Sequence, residues 1–186
     1  MPRIIIRQGT RILTPAEYQK FRDHLNPMYK LIADVLLHTG MRVEEFWDFV
    51  AHPHWYHASS RVIDMPKGSI KKVKALYKER TVFLTKEGCE AVEALQGTEI
   101  RRVTRFAMRD AFHRAAAKSI GVDHINPKML RKTLVSWLVA CEKRDMYVSA
   151  SMGHSLETMK RHYLGLGFER KDIDDMQRFL QGWGEA

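Results

Sequence analysis

Cysteine is nearly missing from this chain, long apolar runs are missing altogether, and acidic residues fall well short of basic ones. The two cysteines in 186 residues, Cys89 and Cys141, lie far apart, each inside an apolar helical pattern. They offer no disulfide framework and read as buried free thiols in a reducing compartment such as the cytoplasm. No apolar stretch approaches the roughly 18 residues that cross a bilayer, so no membrane span is expected. The N-terminal MPRIIIRQGT lacks the charged, apolar and small-residue succession of a secretory signal. Internal repeats, low-complexity tracts and long linkers are absent too, and a single domain over residues 1–186 is expected. The shortage of acid is the most informative of these. Lys and Arg number 31 against 22 Asp and Glu, a net charge of +9. That balance suits a polyanion, because phosphate contacts release condensed counterions. An anionic membrane surface or a merely soluble basic protein satisfies the same count, so motifs must decide.

Helical periodicity dominates what is present. A first helix is expected through PAEYQKFRDHL, with Thr14 as N-cap and Pro15 at its first position. A second starts at Asn26-Pro27, carries Met28, Leu31, Ile32, Val35 and Leu36 on one face, and stops at Gly40. MRVEEFWDFV follows, with Val43, Phe46, Trp47 and Val50 as its buried stripe. The middle differs: Arg61–Met65 and Arg80–Leu84 alternate like strands and flank a lysine-rich segment, which predicts a hairpin with a long basic tip. Helices resume at KEGCEAVEALQ, at VTRFAMRDAFHRAAAKSI and after Asn126-Pro127. Shorter ones are expected over Met146–Met152, Ser155–Leu164 and Glu169–Trp183. The predicted architecture is mainly α with a small antiparallel β-sheet or hairpin on one side.

Four segments concentrate groups that bind phosphate. In Thr39-Gly40-Met41-Arg42-Val43-Glu44-Glu45, Gly40 can end one helix in a left-handed conformation and Arg42 opens the next. A guanidinium on that rigid turn offers a planar fork to phosphate oxygens, and Glu45, three residues on, can orient it. Lys128 and Arg131 stand at i and i+3 near a helix N-terminus, where the dipole also favours an anion. His154 follows Met152-Gly153 and precedes Ser155, a capable helix cap. Tyr163 stands nine residues after His154 on the face of Leu156 and Met159. The hairpin supplies Lys67, Lys71, Lys72 and Lys74. Taken singly, each has a plainer reading: a surface Arg–Glu pair, a solvated basic face, a structural histidine, a core aromatic.

Order and spacing change that. TGMRVEE, a lysine hairpin, KMLRKT, MGHS and a tyrosine nine residues after the histidine resemble, in sequence, the tyrosine recombinases (phage-type integrases). That family shows TGxRxxE, a hairpin lysine, HxLRHT, LGHS and a nucleophilic tyrosine. The resemblance runs from about Asn26 to Tyr163. It departs at Lys128, where the family usually has histidine, a replacement that looks like integrases of archaeal viruses and plasmids. The hairpin is also longer than the family's glycine-lysine-glycine turn. Aligning RVIDMPKG and YKERTVFL with the family's strands selects Lys67, with Lys71, Lys72 and Lys74 as alternatives. The family's N-terminal DNA-clamping domain is expected to be absent.

The resemblance implies a tyrosine recombinase catalytic-domain fold acting on double-stranded DNA. Arg42, Arg131, Lys128 and His154 would stabilise the reacting phosphate, with Glu45 behind Arg42. Tyr163 would be the nucleophile and the hairpin lysine the general acid, with no metal or other cofactor. The family's C-terminal segments often pack onto a neighbouring protomer. Here the apolar stripe Ile173, Met176, Phe179, Leu180 and Trp183, after a hinge at residues 164–167, would serve self-assembly on DNA, or fold back on its own domain. A topoisomerase of the same tyrosine chemistry and a non-catalytic DNA-binding module are the rival functions. A zinc site at His52, His54 and His57 is a further rival for that loop, though no fourth ligand is evident.

Overall fold

Proline and glycine punctuate the chain where its helices begin and end. The computed structural model describes residues 5–7, 10–66, 79–122, 125–153, 157 and 167–185. Helix α1 (Pro15–Asp23) opens on a reciprocal cap: Thr14 Oγ1 accepts the Glu17 N–H at 3.3 Å and Glu17 Oε2 accepts the Thr14 N–H at 3.0 Å. Asn26 caps α2 (Pro27–Thr39), which ends at Gly40 with φ +60°. Helix α3 (Val43–Ala51) starts with Arg42 as its N-cap residue. A short 3-10 turn, Pro53–Trp55, leads into the sheet.

Two small antiparallel sheets accompany the helices. The first, β1 (Ile5–Arg7) with β2 (Thr10–Ile12), was not expected from the sequence. The second has the order β3 (Tyr56–His57), β4 (Val62–Met65), β5 (Arg80–Phe83). Its β4–β5 hairpin is the predicted one, with Met65 paired to Arg80 and Val62 to Phe83. Arg61 has φ +52° and belongs to the turn, so β4 starts one residue later than expected. The hairpin tip, residues 67–78, lies outside the described residues.

Then come α4 (Lys86–Gln96), α5 (Arg105–Ile120), α6 (Pro127–Ala140), α7 (Asp145–Met152) and α8 (Arg170–Phe179). Of the helix expected over Ser155–Leu164 only Glu157 is described, and it is helical. The expectation of a mainly helical domain with a small sheet holds. No helix among the described residues is long and apolar enough to cross a membrane.

Helix α6 is the axis of the core. Met129, Leu130, Leu134, Val135, Trp137 and Leu138 are all buried, and α2 packs along it. Leu13 straps the N-terminal hairpin to it: its carbonyl accepts Trp137 Nε1–H at 2.8 Å and its N–H donates to Thr133 Oγ1 at 3.2 Å. Helix α8 seats on its own domain. A ten-residue helix is marginal alone in water, so it is held by burying Met176, Leu180 and Trp183, roughly 2 kcal/mol each. Phe179 meets Trp137 edge-on at 5.5 Å, and the Lys86 N–H donates to the Gln181 carbonyl at 2.9 Å. The helix ends at Phe179, and turns rather than further helix carry the chain past Trp183.

Where α2 meets α4, the His38 imidazole is buried, with Nδ1 2.8 Å from Thr85 Oγ1 and Nε2 3.6 Å from Glu87 Oε2. Burial pushes it down to about 4; Asp34 opposes the shift and Arg22 adds to it. Because the folded chain resists this proton, the stabilisation is complete above the ordinary histidine value of about 6.5. It is lost as pH falls from there towards about 4. Urea unfolding of wild type and His38→Gln should therefore converge by about 3 kcal/mol between pH 7 and pH 4; parallel profiles would show that His38 is not buried in its neutral form.

Candidate active site

A glycine without room for a side chain brings three helices together. At Gly40 an added Cβ would stand 2.9 Å from Met152 Sδ and 3.1 Å from Leu134 Cδ2, so the end of α2 touches both α6 and α7. Two residues later Arg42 starts α3, and one turn on lies Glu45, a carboxylate only 2% exposed.

Glu45 gathers three arginines. Its Oε1 accepts from Arg42 Nη1 at 2.6 Å. Its Oε2 accepts the Arg42 backbone N–H at 2.7 Å and Arg80 Nη2 at 2.5 Å, and Arg131 Nη1 stands 3.8 Å away. Burial pushes the Glu45 carboxyl up, but Arg80, Arg131 and then Arg42 outweigh it and hold the carboxyl below its ordinary range. It is an ion at neutral pH. One negative charge set against three guanidiniums leaves a surplus of two positive charges at the site.

Backbone carbonyls fix the inner two arginines. Buried Arg131 donates to the Gly40 carbonyl at 2.5 Å and to the Met152 carbonyl, spanning the ends of α2 and α7 from α6. Arg80 Nη1 donates to the Ser151 carbonyl at 2.7 Å, and Ser151 Oγ accepts the Phe83 N–H at 3.3 Å. Strand β5 is thereby tied to the last turn of α7, which Gly153 ends at φ +60°.

In front of these groups lies a cleft of about 510 Å³, whose cations are Arg42, Arg105, Arg109, Lys128, Arg131 and Lys132. Among the described residues its one carboxylate is Glu44. The first turns of α3, α5 and α6 all contribute to its wall, so the positive ends of three helix dipoles converge there. Burial, then the nearby Lys128, lowers the pKa of Lys132, whose Nζ donates to Thr10 Oγ1 at 2.6 Å. An anion entering the cleft would meet preorganised donors of one sign, which is what charge build-up on a phosphate requires.

The structure thus brings Arg42, Lys128 and Arg131 into one cleft, with Glu45 behind them. His154, Tyr163 and the lysines at 67, 71, 72 and 74 lie outside the described residues. The three loop histidines do not converge. His52 stacks flat on Trp55 at 4.7 Å, while His57 faces Asp64 at 3.4 Å. Among the described residues no three His, Cys, Asp or Glu side chains form a metal-binding group.

Sequence reasoning missed Arg80, Arg105, Arg109 and Lys132. The signal for Arg80 was strand parity, since it shares a face with buried Val82 and Leu84 and therefore points inward. Arg105 and Arg109 stand at i and i+4 on α5, beside the buried stripe of Met108 and Phe112, but nothing local says that this face borders α6.

The sequence pattern of the phage integrase family matches residues 11–170. The chain belongs to that family. XerA recombinase superposes with a TM-score of 0.62 at 17% identity, over 90% of this chain and 64% of that one. The Tn1549 transposon integrase in complex with circular intermediate DNA does so with a TM-score of 0.66 at 14% identity, over 90% and 65%. At such identities the likeness concerns the fold, and the chain spans just under two thirds of these structures. No curated protein matches the chain in sequence.

The burial contrast between two arginines of this cleft can be tested. Arg131→Ala should cost about 3–5 kcal/mol in urea unfolding, because it strips partners from buried Glu45 and two helix-end carbonyls. Arg42, 39% exposed, should cost about 1 kcal/mol or less as Arg42→Ala. Equal losses would contradict this division of labour.

Proposed function

We propose that this chain is the catalytic domain of a site-specific DNA recombinase, an integrase that cleaves and rejoins DNA through a phosphotyrosine. The observation that carries the reading is the cleft: two guanidiniums held on a buried carboxylate, a lysine at a helix N-terminus, and three helix dipoles directed at one basic space. Membership of the phage integrase family supports it.

In this reading Tyr163 gives up its phenol proton to solvent, and its phenolate oxygen, the form that neighbouring cations favour, attacks the scissile phosphorus. The new bond is a 3′-phosphotyrosine, and the bond to the 5′-oxygen breaks. Charge builds on the nonbridging oxygens, where Arg42 and Arg131 clamp bidentately and Lys128 and His154 add donors. The departing 5′-oxygen takes its proton from the hairpin lysine, Lys67 by alignment, with Lys71, Lys72 and Lys74 as alternatives. A 5′-hydroxyl of the partner DNA then attacks the phosphotyrosine and returns the tyrosine. The covalent intermediate conserves the bond, so neither ATP nor a metal is needed. The setting is the cytoplasm, which suits two cysteines that are both free thiols.

Assembly on DNA through the C-terminal segment is part of the proposal. In the isolated chain Met176, Leu180 and Trp183 are seated on their own domain. Bridging to a neighbour would exchange that seat for the same one on the next protomer, as domain swapping does.

Incubation with a nicked suicide DNA substrate, without metal or ATP, should give a protease-sensitive covalent adduct that Tyr163→Phe abolishes while DNA affinity stays within a few-fold. Adduct in that variant would disprove the assignment. The cleft's outer arginines give a second test. Arg105→Ala with Arg109→Ala should weaken DNA binding at all sequences and reduce the slope of log K against log salt by about 2. An unchanged slope would place the DNA elsewhere.

A further inference from the structure

Arg80 stands apart from the other arginines of the cluster. It is 7% exposed, it does not line the basic cleft, and it reaches Glu45 from the sheet side. Arg42 and Arg131 reach the same carboxylate from the cleft side. The three do not share Glu45 equally. Arg80 Nη2 lies 2.5 Å from Oε2, whereas Arg131 Nη1 lies 3.8 Å from that same atom and gives its close hydrogen bonds to the Gly40 and Met152 carbonyls. Of these two guanidiniums Arg80 carries the contact ion pair.

We infer that Arg80 is a positioning residue for the reaction: it occupies Glu45 Oε2, opposite the Arg42 contact on Oε1, so that Arg131 keeps its charge and its aim for the phosphate. Resting on the recombinase reading of the cleft, the inference adds a residue that touches neither DNA nor the reacting atoms. Its physical basis is charge and reach together. Without Arg80 the buried carboxylate keeps Arg42 on Oε1 but loses its contact cation on Oε2. The nearest replacement is Arg131, a little over 1 Å beyond contact distance on the same oxygen. Drawing Arg131 onto Oε2 would pull it from the carbonyls that aim it and halve the surplus positive charge facing the cleft.

The same guanidinium also ties two further pieces to the site. Arg80 begins β5, directly after the lysine-bearing hairpin segment, and its Nη1 holds the Ser151 carbonyl in the last turn of α7, three residues before His154. A residue that served only as a bracket between β5 and α7 would matter through those contacts and not through Glu45. The two roles separate when the carboxylate is neutralised.

The test is a double-mutant cycle on the intact chain, using Arg80→Met, Glu45→Gln and both together. Thermal melts, affinity for an uncleaved duplex and single-turnover adduct formation on the nicked suicide substrate are measured for each. Arg80→Met should slow adduct formation about 100-fold while changing duplex affinity less than about 3-fold. Adding Glu45→Gln should restore about 10-fold of the lost rate and raise the melting temperature above that of Arg80→Met alone. Arg80→Lys, which keeps the charge, should stay within about 10-fold of wild type; it also keeps the cycle informative if Arg80→Met does not fold. A folded Arg80→Met at wild-type rate would overturn the inference. So would a double variant no faster and no more stable than Arg80→Met, or Arg80→Lys as slow as Arg80→Met. A wild-type chain that forms no adduct at all overturns instead the recombinase reading on which the inference rests.

Discussion

A single buried carboxylate organises this domain. Glu45 is a charge taken out of water, and a charge so placed is tolerated only when cations and donors surround it. Three guanidiniums from α3, β5 and α6 meet that demand, and each element is fixed in turn by the meeting. The carbonyls of Gly40, Ser151 and Met152 complete the arrangement, so the ends of α2 and α7 are drawn in as well. Five elements from distant parts of the chain agree on one point in space. What holds the fold together there is also what leaves positive charge unspent on its outer side.

That surplus is reinforced by helix geometry. The walls of the cleft are first turns, of α3, α5 and α6, and each brings partial positive charge from its unpaired N–H groups. The core determines this. Helix α6 must run through the centre to bury Leu134, Trp137 and Leu138, and doing so leaves its N-terminus, with Lys128, at the surface beside α3. The opposite flank is closed by α8, whose Phe179 reaches both Trp137 and the His38 ring. Binding face and packing face are consequences of one helix direction.

Much of this was legible in the sequence, for a reason that differs from part to part. Helix boundaries were readable where caps are chemical, as at Thr14, Pro27 and Gly40. The β4–β5 hairpin was readable from alternation, and Arg42, Lys128 and Arg131 from the order of their motifs. What escaped was tertiary. Strands of two or three residues, such as β1, β2 and β3, are too short to show a period. Arg105 and Arg109 look like any solvated helix face until α6 is placed beside them. Arg80 was visible in principle, since its parity with Val82 pointed it inward, but a charged side chain on a buried face is read as an exception until its partner is known. The C-terminal stripe was recognised as apolar, while the choice between its own domain and a neighbour depended on a surface that only folding creates.

Position 40 shows how a site can depend on atoms that are not there. Gly40 donates no charge and would touch no substrate, yet the gap it leaves sets how closely Leu134 and Met152 approach, and its carbonyl aims Arg131. In a mutational map of the whole chain it would stand out as sharply as the charged residues, and for the opposite reason. They are intolerant because their chemistry has no substitute. At Gly40 a methyl group would crowd Leu134 and Met152, and the left-handed backbone disfavours any side chain at all.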